Sequence, residues 1–361
     1  MPLPLVFNAA VLRTECSPPE AAANPFLIFL ANPRAPESPA VQASHVRNYR
    51  IAIPLAPEAF FAHEEQSVVL LILAPVLLSG TLGWLVLRLF FRPNGRWLTA
   101  MFYLALGIPV GAGLFGLSSL FAMLELKLGR DSILAAFCIP AALAGCAGWL
   151  QNRGKLFRPL PLGNGGSGNG RIVTILSILC LIVCLAGALL LAGYFMAFPH
   201  GMWDAHAMWN ARARVMFRAP VFWRDVFLPD HYHPDYPLSL SILVFTGWAA
   251  VGRETQTVPF ALNVVFLLAS AAIVAVGLAI WKNLAWALVP GTVMLSAQGY
   301  VALAGSQYAD IPLSAMFAAC IVLFTLAYRE EEPNGPALAL AGAVAGLCGW
   351  IKNEGTRSLS A

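Results

Sequence analysis

Charged residues are scarce in this 361-residue chain: Asp, Glu, Lys and Arg make up 11% of it, and hydrophobic residues make up 59%. An ordinary soluble domain has about 25% charged residues. This composition excludes a water-soluble globular protein, which would expose large apolar patches. The net charge of +4 gives no reason to expect nucleic acid as a partner, so the lipid bilayer is the expected environment.

Alternation of apolar and polar residues is also missing from the hydrophobic blocks, which excludes spanning strands and leaves helices. Most blocks contain the roughly 17–25 apolar residues that a helical crossing needs. We therefore predict an all-α, polytopic integral membrane protein with about nine transmembrane helices. The candidate spans are 67–87, 98–124, 132–150, 172–198, 238–252, 258–281, 284–303, 311–328 and 336–351.

The composition between these blocks predicts four regions. Residues 1–66 are rich in proline and are expected to be a disordered tail. Residues 67–150 would form an N-terminal transmembrane module, and 151–171 a basic, glycine-rich linker. Because no strand precedes Gly163–Gly170, we interpret it as flexible rather than as a phosphate-binding loop. Residues 172–361 would form the main membrane domain.

Basic residues indicate the orientation of the chain. They follow the first predicted span and fill the linker, which predicts that both regions are cytoplasmic. These residues are Arg88, Arg92, Arg96, Arg153, Lys155, Arg158 and Arg171. The fourth span then carries the chain outward, so the loop at 199–237 is expected to be extracytoplasmic.

The loop at 199–237 concentrates the polar residues, including four of the six histidines. Asp204 precedes a helical pattern over Ala205–Arg218 and could either cap that helix or take part in chemistry. The aromatic residues of the loop are typical of an amphipathic helix in the membrane interface. They are Trp203, Trp209, Phe217, Phe222 and Trp223.

The charged side chains of this loop allow two interpretations each. Arg212, Arg214 and Arg218 would contact lipid headgroups, or one of them would bind the phosphate of a lipid-linked substrate. In an extended chain, His231, His233 and Asp235 would point to one side. That arrangement could hold a divalent cation, although an anchor for the loop is the favoured interpretation.

Two further polar islands lie at span boundaries. Asp310 directly precedes an apolar run, so it could cap a helix or contribute to a site. Lys352 and Glu354 follow the last predicted span, where they could be interfacial residues or face a substrate.

Four segments now suggest a family. WDAHAMWNARA, HPDYPLSL, YADIPLS and WIKNEG, in this order, resemble bacterial GT-C-type glycosyltransferases, which are related to protein O-mannosyltransferases and to the aminoarabinose transferases of lipid A. The resemblance covers 172–355. It implies a GT-C-like helical bundle in the bacterial cytoplasmic membrane. Such relatives continue through further helices, so we expect the chain to be truncated at its C-terminus.

The resemblance also implies a reaction: a polyprenyl-phosphate donor gives its sugar to a glycan, lipid or protein acceptor. It maps the catalytic base onto Asp204 and a second acidic residue of the site onto Asp310. Arg212, Arg214 and Lys352 would surround the donor phosphate. The other residues expected to bind substrate are Trp209, Asn210, His233, Asp235, Tyr236 and Glu354. No cofactor is expected beyond the divalent cation considered above.

A transporter or flippase for a lipid-linked or anionic solute is the alternative function. Transporters place ionisable residues within spans near the midplane, whereas here they lie at span ends, which favours the enzyme. One topological condition remains. Three candidate spans separate Asp204 from Asp310, so a shared site requires that either 238–252 or 284–303 does not cross completely.

Overall fold

The computed structural model describes most of the chain after residue 70. The described residues are 71–92, 96–154, 156, 160–161, 169–219, 223–227, 233–329, 332–353 and 355. They belong to one compact unit, His63–Ala361. The predicted tail at 1–66, the metal candidate His231 and the predicted substrate residue Glu354 lie outside the described residues.

The described residues form eleven α-helices, which confirms the all-α prediction. In order these are α1 (Ala74–Phe90), α2 (Arg96–Leu124), α3 (Cys138–Asn152), α4 (Gly170–Ala197), α5 (Asn210–Arg218), α6 (Ser239–Val251), α7 (Thr257–Trp281), α8 (Leu284–Ser296), α9 (Gln298–Gly305), α10 (Asp310–Ala327) and α11 (Gly335–Ile351). A π-helical turn, Ala205–Trp209, leads into α5, and 3-10 turns occupy Ile133–Phe137 and Trp223–Phe227. Two short strands, β1 (Phe91–Arg92) and β2 (Leu160–Pro161), pair in parallel.

Helix length supports a multi-pass membrane protein with fewer crossings than the nine expected. Within the described part of the chain, five helical segments are long and apolar enough to cross a bilayer. The pair α8 and α9 adds a sixth if its 65° bend is counted within one span. Three apolar helices, α1, α6 and α11, are shorter.

Helix α6 corresponds to the predicted span 238–252, but its surroundings show that it does not cross. Before α6, the carbonyl of Tyr236 accepts a hydrogen bond from Arg212 at 2.9 Å. After α6, Glu254 is bonded to Arg218. Both ends of α6 therefore lie beside the short helix α5, on one face of the bundle. The prediction of a span here was wrong because apolar sequence cannot distinguish burial in protein from burial in lipid.

This position of α6 satisfies the topological condition for a shared site. Only α7 and the bent pair α8–α9 remain as crossings between Asp204 and Asp310. Two crossings return the chain to the face from which it started. We call this face, which carries the described residues 199–219, 223–227, 233–256, 306–310, 351–353 and 355, the site face.

The opposite face carries the other helix ends. There Gln151 of α3 donates to the carbonyl of Leu89 in α1, and Gly277 of α7 packs against Val322 of α10. Described basic residues outnumber acidic ones on this face: Arg88, Arg92, Arg153, Arg171, Lys282 and Arg329, against Glu332. The positive-inside rule therefore predicts that the opposite face is cytoplasmic.

Helix α2 joins the predicted N-terminal module to the rest of the bundle. Its Gly113 faces Leu347 of α11, and its Gly116 faces the indole nitrogen of Trp350. Glycine also permits the close approach of α1 to α2, because a Cβ on Gly83 would lie 1.9 Å from the carbonyl oxygen of Gly107. The module at 67–150 and the helices after the linker thus share one core.

The position of α6 can be tested by the sidedness of thiol labelling. Cysteine placed at Arg224, before α6, and at Arg253, after it, should react with an impermeant maleimide from the same side of sealed membranes. Arg329→Cys, on the opposite face, is the matched control and should react only from the other side. Labelling of positions 224 and 253 from different sides would show that α6 crosses.

Candidate functional site

Asp204 lies inside a helical turn rather than in front of one. Its backbone is helical, with φ −63° and ψ −38°, and its side chain makes no capping hydrogen bond. The helix begins earlier, since the amide of His206 donates to the carbonyl of Met202 at 2.9 Å. The capping interpretation of Asp204 is therefore wrong, and its half-buried carboxylate is not engaged in capping the helix.

The loop after α9 holds this helical turn in place. The side-chain amide of Gln307 donates to the carbonyl of Pro199 at 3.1 Å and accepts from Asn210 at 3.0 Å. The carbonyl of Ser306 accepts from the amide of Met202 at 3.2 Å. Asn210, expected to bind substrate, is buried in this network. Its amide also donates to the carbonyl of His200.

Tyr308 lies within the electrostatic reach of both predicted carboxylates. Burial raises the pKa of its phenol, and the charges of Asp204 and Asp310 raise it further. A hydrogen bond from the Asp204 backbone acts in the opposite sense. Because the amide of Met202 also donates to the carbonyl of Ser306, the turn that contains Asp204 lies against the loop that leads to Asp310, 106 positions later in the sequence.

Asp310 is joined to Lys352 by an ion pair, with 3.0 Å between Oδ1 and Nζ. The lysine side chain is 14% exposed and the aspartate side chain 39%. Ala309, and not Asp310, is the N-cap of α10, so the capping interpretation is wrong here too. Asp310 in the first turn of α10 and Lys352 at the end of α11 also each complement a helix dipole.

Arg212 and Trp209 hold the chain segment that precedes α6. Arg212 is 2% exposed and donates to the carbonyls of Tyr236 and His233. The ring of Trp209 stacks on Tyr236 with 5.7 Å between centroids, and His233 stacks on the same tyrosine at 4.9 Å. Asn353 closes the arrangement by donating to Asp235 Oδ2 at 2.7 Å.

These contacts show that five of the predicted substrate residues hold the chain in place: Arg212, Trp209, His233, Asp235 and Tyr236. Burial lowers the pKa of the Arg212 guanidinium, and the charge of Asp235 partly opposes that shift. His233 Nδ1 lies 3.9 Å from Asp235 Oδ1. Within the described ranges, no three His, Cys, Asp or Glu side chains come together as metal ligands, and the third candidate, His231, falls outside those ranges.

A second group of charged residues surrounds Arg214. Its Nε lies 3.7 Å from Glu254 Oε2, and Glu254 forms a two-point contact with Arg218 at 2.5 and 2.7 Å. His200 contacts Arg214 at 3.5 Å and Gln256 at 2.9 Å. Burial, then the charge of Arg214, lowers the pKa of His200, and the same two causes lower the pKa of His206.

Several residues of the site were not found from the sequence. Glu254 and Gln256 occur in a short turn with no recognisable motif, and His200 was counted only as part of a polar loop. Tyr308 is the first residue of YADIPLS, so the resemblance could have indicated it, and Gln307 directly precedes that segment. Comparison with family models, curated proteins and solved structures finds no match to this chain.

The ion pair between Asp310 and Lys352 can be measured with a double-mutant cycle. Asp310→Asn and Lys352→Gln should each lower the stability, and the double variant should be little worse than either single one. Because the aspartate is partly exposed, we expect a coupling of only about 1 kcal/mol. Purely additive effects on unfolding of the detergent-solubilised protein would contradict the pairing.

The two histidines near Arg214 predict a loss of stability in acid. Their pKa values are lowered on folding, so their contribution is complete above the ordinary value of 6.5 and disappears as the pH falls through the lowered values. Thermal unfolding should therefore occur at lower temperature near pH 5 than near pH 7.5. The His200→Gln/His206→Gln variant should lose much of this dependence. His233→Gln, the matched control, should retain it.

Proposed function

We propose that this protein is a membrane glycosyltransferase that moves a sugar from a polyprenyl-phosphate donor to an acceptor at the site face. One observation carries the proposal: the amide of Met202 donates to the carbonyl of Ser306, which places the turn containing Asp204 against the loop that leads to Asp310, and Asp310 is paired with Lys352. Three of the four segments that resemble GT-C-type enzymes thus supply neighbouring groups. The fourth, HPDYPLSL, is linked to them through Asn353.

The chemistry of sugar transfer needs a base and a cationic partner for the leaving phosphate. In the proposed step, the acceptor oxygen bonds to the anomeric carbon, and the bond from that carbon to the phosphate oxygen breaks. Asp204 takes the acceptor proton as the bond forms. Lys352, which is paired with Asp310, stabilises the negative charge on the departing phosphate.

The arginines contribute differently from what the sequence suggested. Arg212 is nearly inaccessible and already donates to two carbonyls, which suits a structural role. Arg214 has a side chain that is 22% exposed, and Glu254, its carboxylate partner among the described residues, is shared with Arg218. Arg214 is therefore the better candidate for the donor phosphate.

A lipid-linked substrate also fits the apolar surface beside Asp204. Phe198, Met202 and Trp203 are 42%, 38% and 48% exposed where α4 reaches the site face. Large apolar side chains at a membrane boundary can contact a prenyl chain while the phosphate stays at headgroup depth. This arrangement supports a lipid donor over a fully water-soluble sugar nucleotide.

The bend between α8 and α9 is the one feature that favours a transporter, since broken helices line many transport sites. However, the residues at the break, Ala297, Gln298 and Gly299, are exposed on the outside of the bundle. The hydroxyl of Tyr300 contacts Ser270 and Ser314, which fastens the broken helix to its neighbours. The enzyme therefore remains our proposal.

The proposal predicts that Asp204→Asn abolishes transfer. Loss of a general base costs about 10²–10⁴ in rate. Membranes containing the variant should fail to move radiolabelled sugar from a polyprenyl-phosphate hexose, although they still bind that donor. Asp131→Asn is the matched control, because Asp131 also lies on the site face and its side chain is 90% exposed. Near-normal transfer by the Asp204 variant would refute the assignment.

A further inference from the structure

A large groove lies on the outside of the bundle, away from the candidate site. It has a volume of about 1290 Å³ and is formed by α1, α2 and α3. Its wall includes Val76 and Ile108 within the bundle and extends to Arg92 and Asn152 at the opposite face. Along α1 this is a length of about 24 Å, which exceeds one leaflet of a hydrocarbon core about 30 Å thick.

The groove changes character along its length. Its inner part is lined by aliphatic residues and by Gly145. A Cβ added at Gly145 would have no other atom within 4 Å, so a larger side chain fits there. Its outer end carries Arg88 and Arg92, both exposed. The described residues that line the groove include no acidic side chain.

Two tryptophans mark the level at which the groove reaches the interface. The guanidinium of Arg88 lies 4.8 Å from the ring centre of Trp84, and that of Arg153 lies 4.9 Å from Trp149. Such contacts hold a guanidinium by its face and leave its N–H groups directed outward. Tryptophan is typical of the headgroup level of a membrane.

We infer that the groove binds an anionic phospholipid of the leaflet at the opposite face. One acyl chain occupies the apolar part between α1, α2 and α3, and the phosphate lies between Arg88 and Arg92. Basic pockets between transmembrane helices on the cytoplasmic side are suited to anionic headgroups. The inference rests on the groove alone and does not depend on the proposed transferase activity.

Charge is the reason for choosing an anionic lipid. A zwitterionic lipid would fill the apolar part equally well, but its net charge is zero. Two guanidinium groups without a nearby carboxylate in the groove wall favour a headgroup of net negative charge. The length of the groove, in turn, favours a lipid with an acyl chain over free phosphate, which would occupy only the outer end.

Native mass spectrometry of the purified full chain can test this inference. Phosphatidylglycerol should bind more tightly than phosphatidylcholine with the same acyl chains. At about 1 kcal/mol for each basic residue, Arg88→Gln/Arg92→Gln should weaken phosphatidylglycerol binding roughly thirtyfold. Lys282→Gln/Arg329→Gln removes the same charge from the same face outside the groove and should have little effect.

Two further measurements separate the parts of the groove. Gly145→Phe should fill the apolar part and weaken binding of both lipids while the arginines remain. Glycerol 3-phosphate, which has no acyl chain, should fail to compete at concentrations where the lipid saturates. Equal binding of the two lipids, an effect of the control as large as that of the arginine variant, or full competition by glycerol 3-phosphate would each overturn the inference.

Discussion

The high cost of an ionised group in hydrocarbon determines where this chain can place its chemistry. Its long helices carry no charged residue in their interiors, so ionisable side chains collect where the helices end. Each return of the chain to the site face adds another polar end to the same area. Asp310 pairs with Lys352 for this reason, and the turn that contains Asp204 contacts Ser306, although these segments are far apart in sequence. The site is thus a product of helix length and direction.

Five charged groups at the site face form ion pairs with one another. Lys352 has Asp310, and Arg214 and Arg218 share Glu254. Paired groups at the edge of a low-dielectric region are held in fixed positions without substrate, which is the preorganisation that electrostatic catalysis requires. Replacing one member of a pair therefore affects more than that residue. It leaves the partner unpaired and disturbs the position of its neighbours.

The sequence predicted the helices well because their apolar runs are long. The span expected at 258–281 is α7, Thr257–Trp281, and that expected at 311–328 is α10, Asp310–Ala327. The prediction of a span at 238–252, where α6 lies, was wrong because hydropathy measures how apolar a segment is and not what surrounds it. The sequence also could not separate Arg212 from Arg214, two residues apart, because the difference between them lies in burial and partners. Pairing between distant segments, as for Gln307 and Pro199, leaves no local pattern.

Burial of α6 on all sides has a consequence for biogenesis. Its residues from Ser239 to Trp248 are all buried, and part of what covers them is α7, which is synthesised later. Until α7 emerges, the side of α6 at Gly247 that Val258 covers is unshielded, although α1 and α2, which are synthesised earlier, already pack against α6. Completion of the packing around α6 therefore depends on a helix that is synthesised after it.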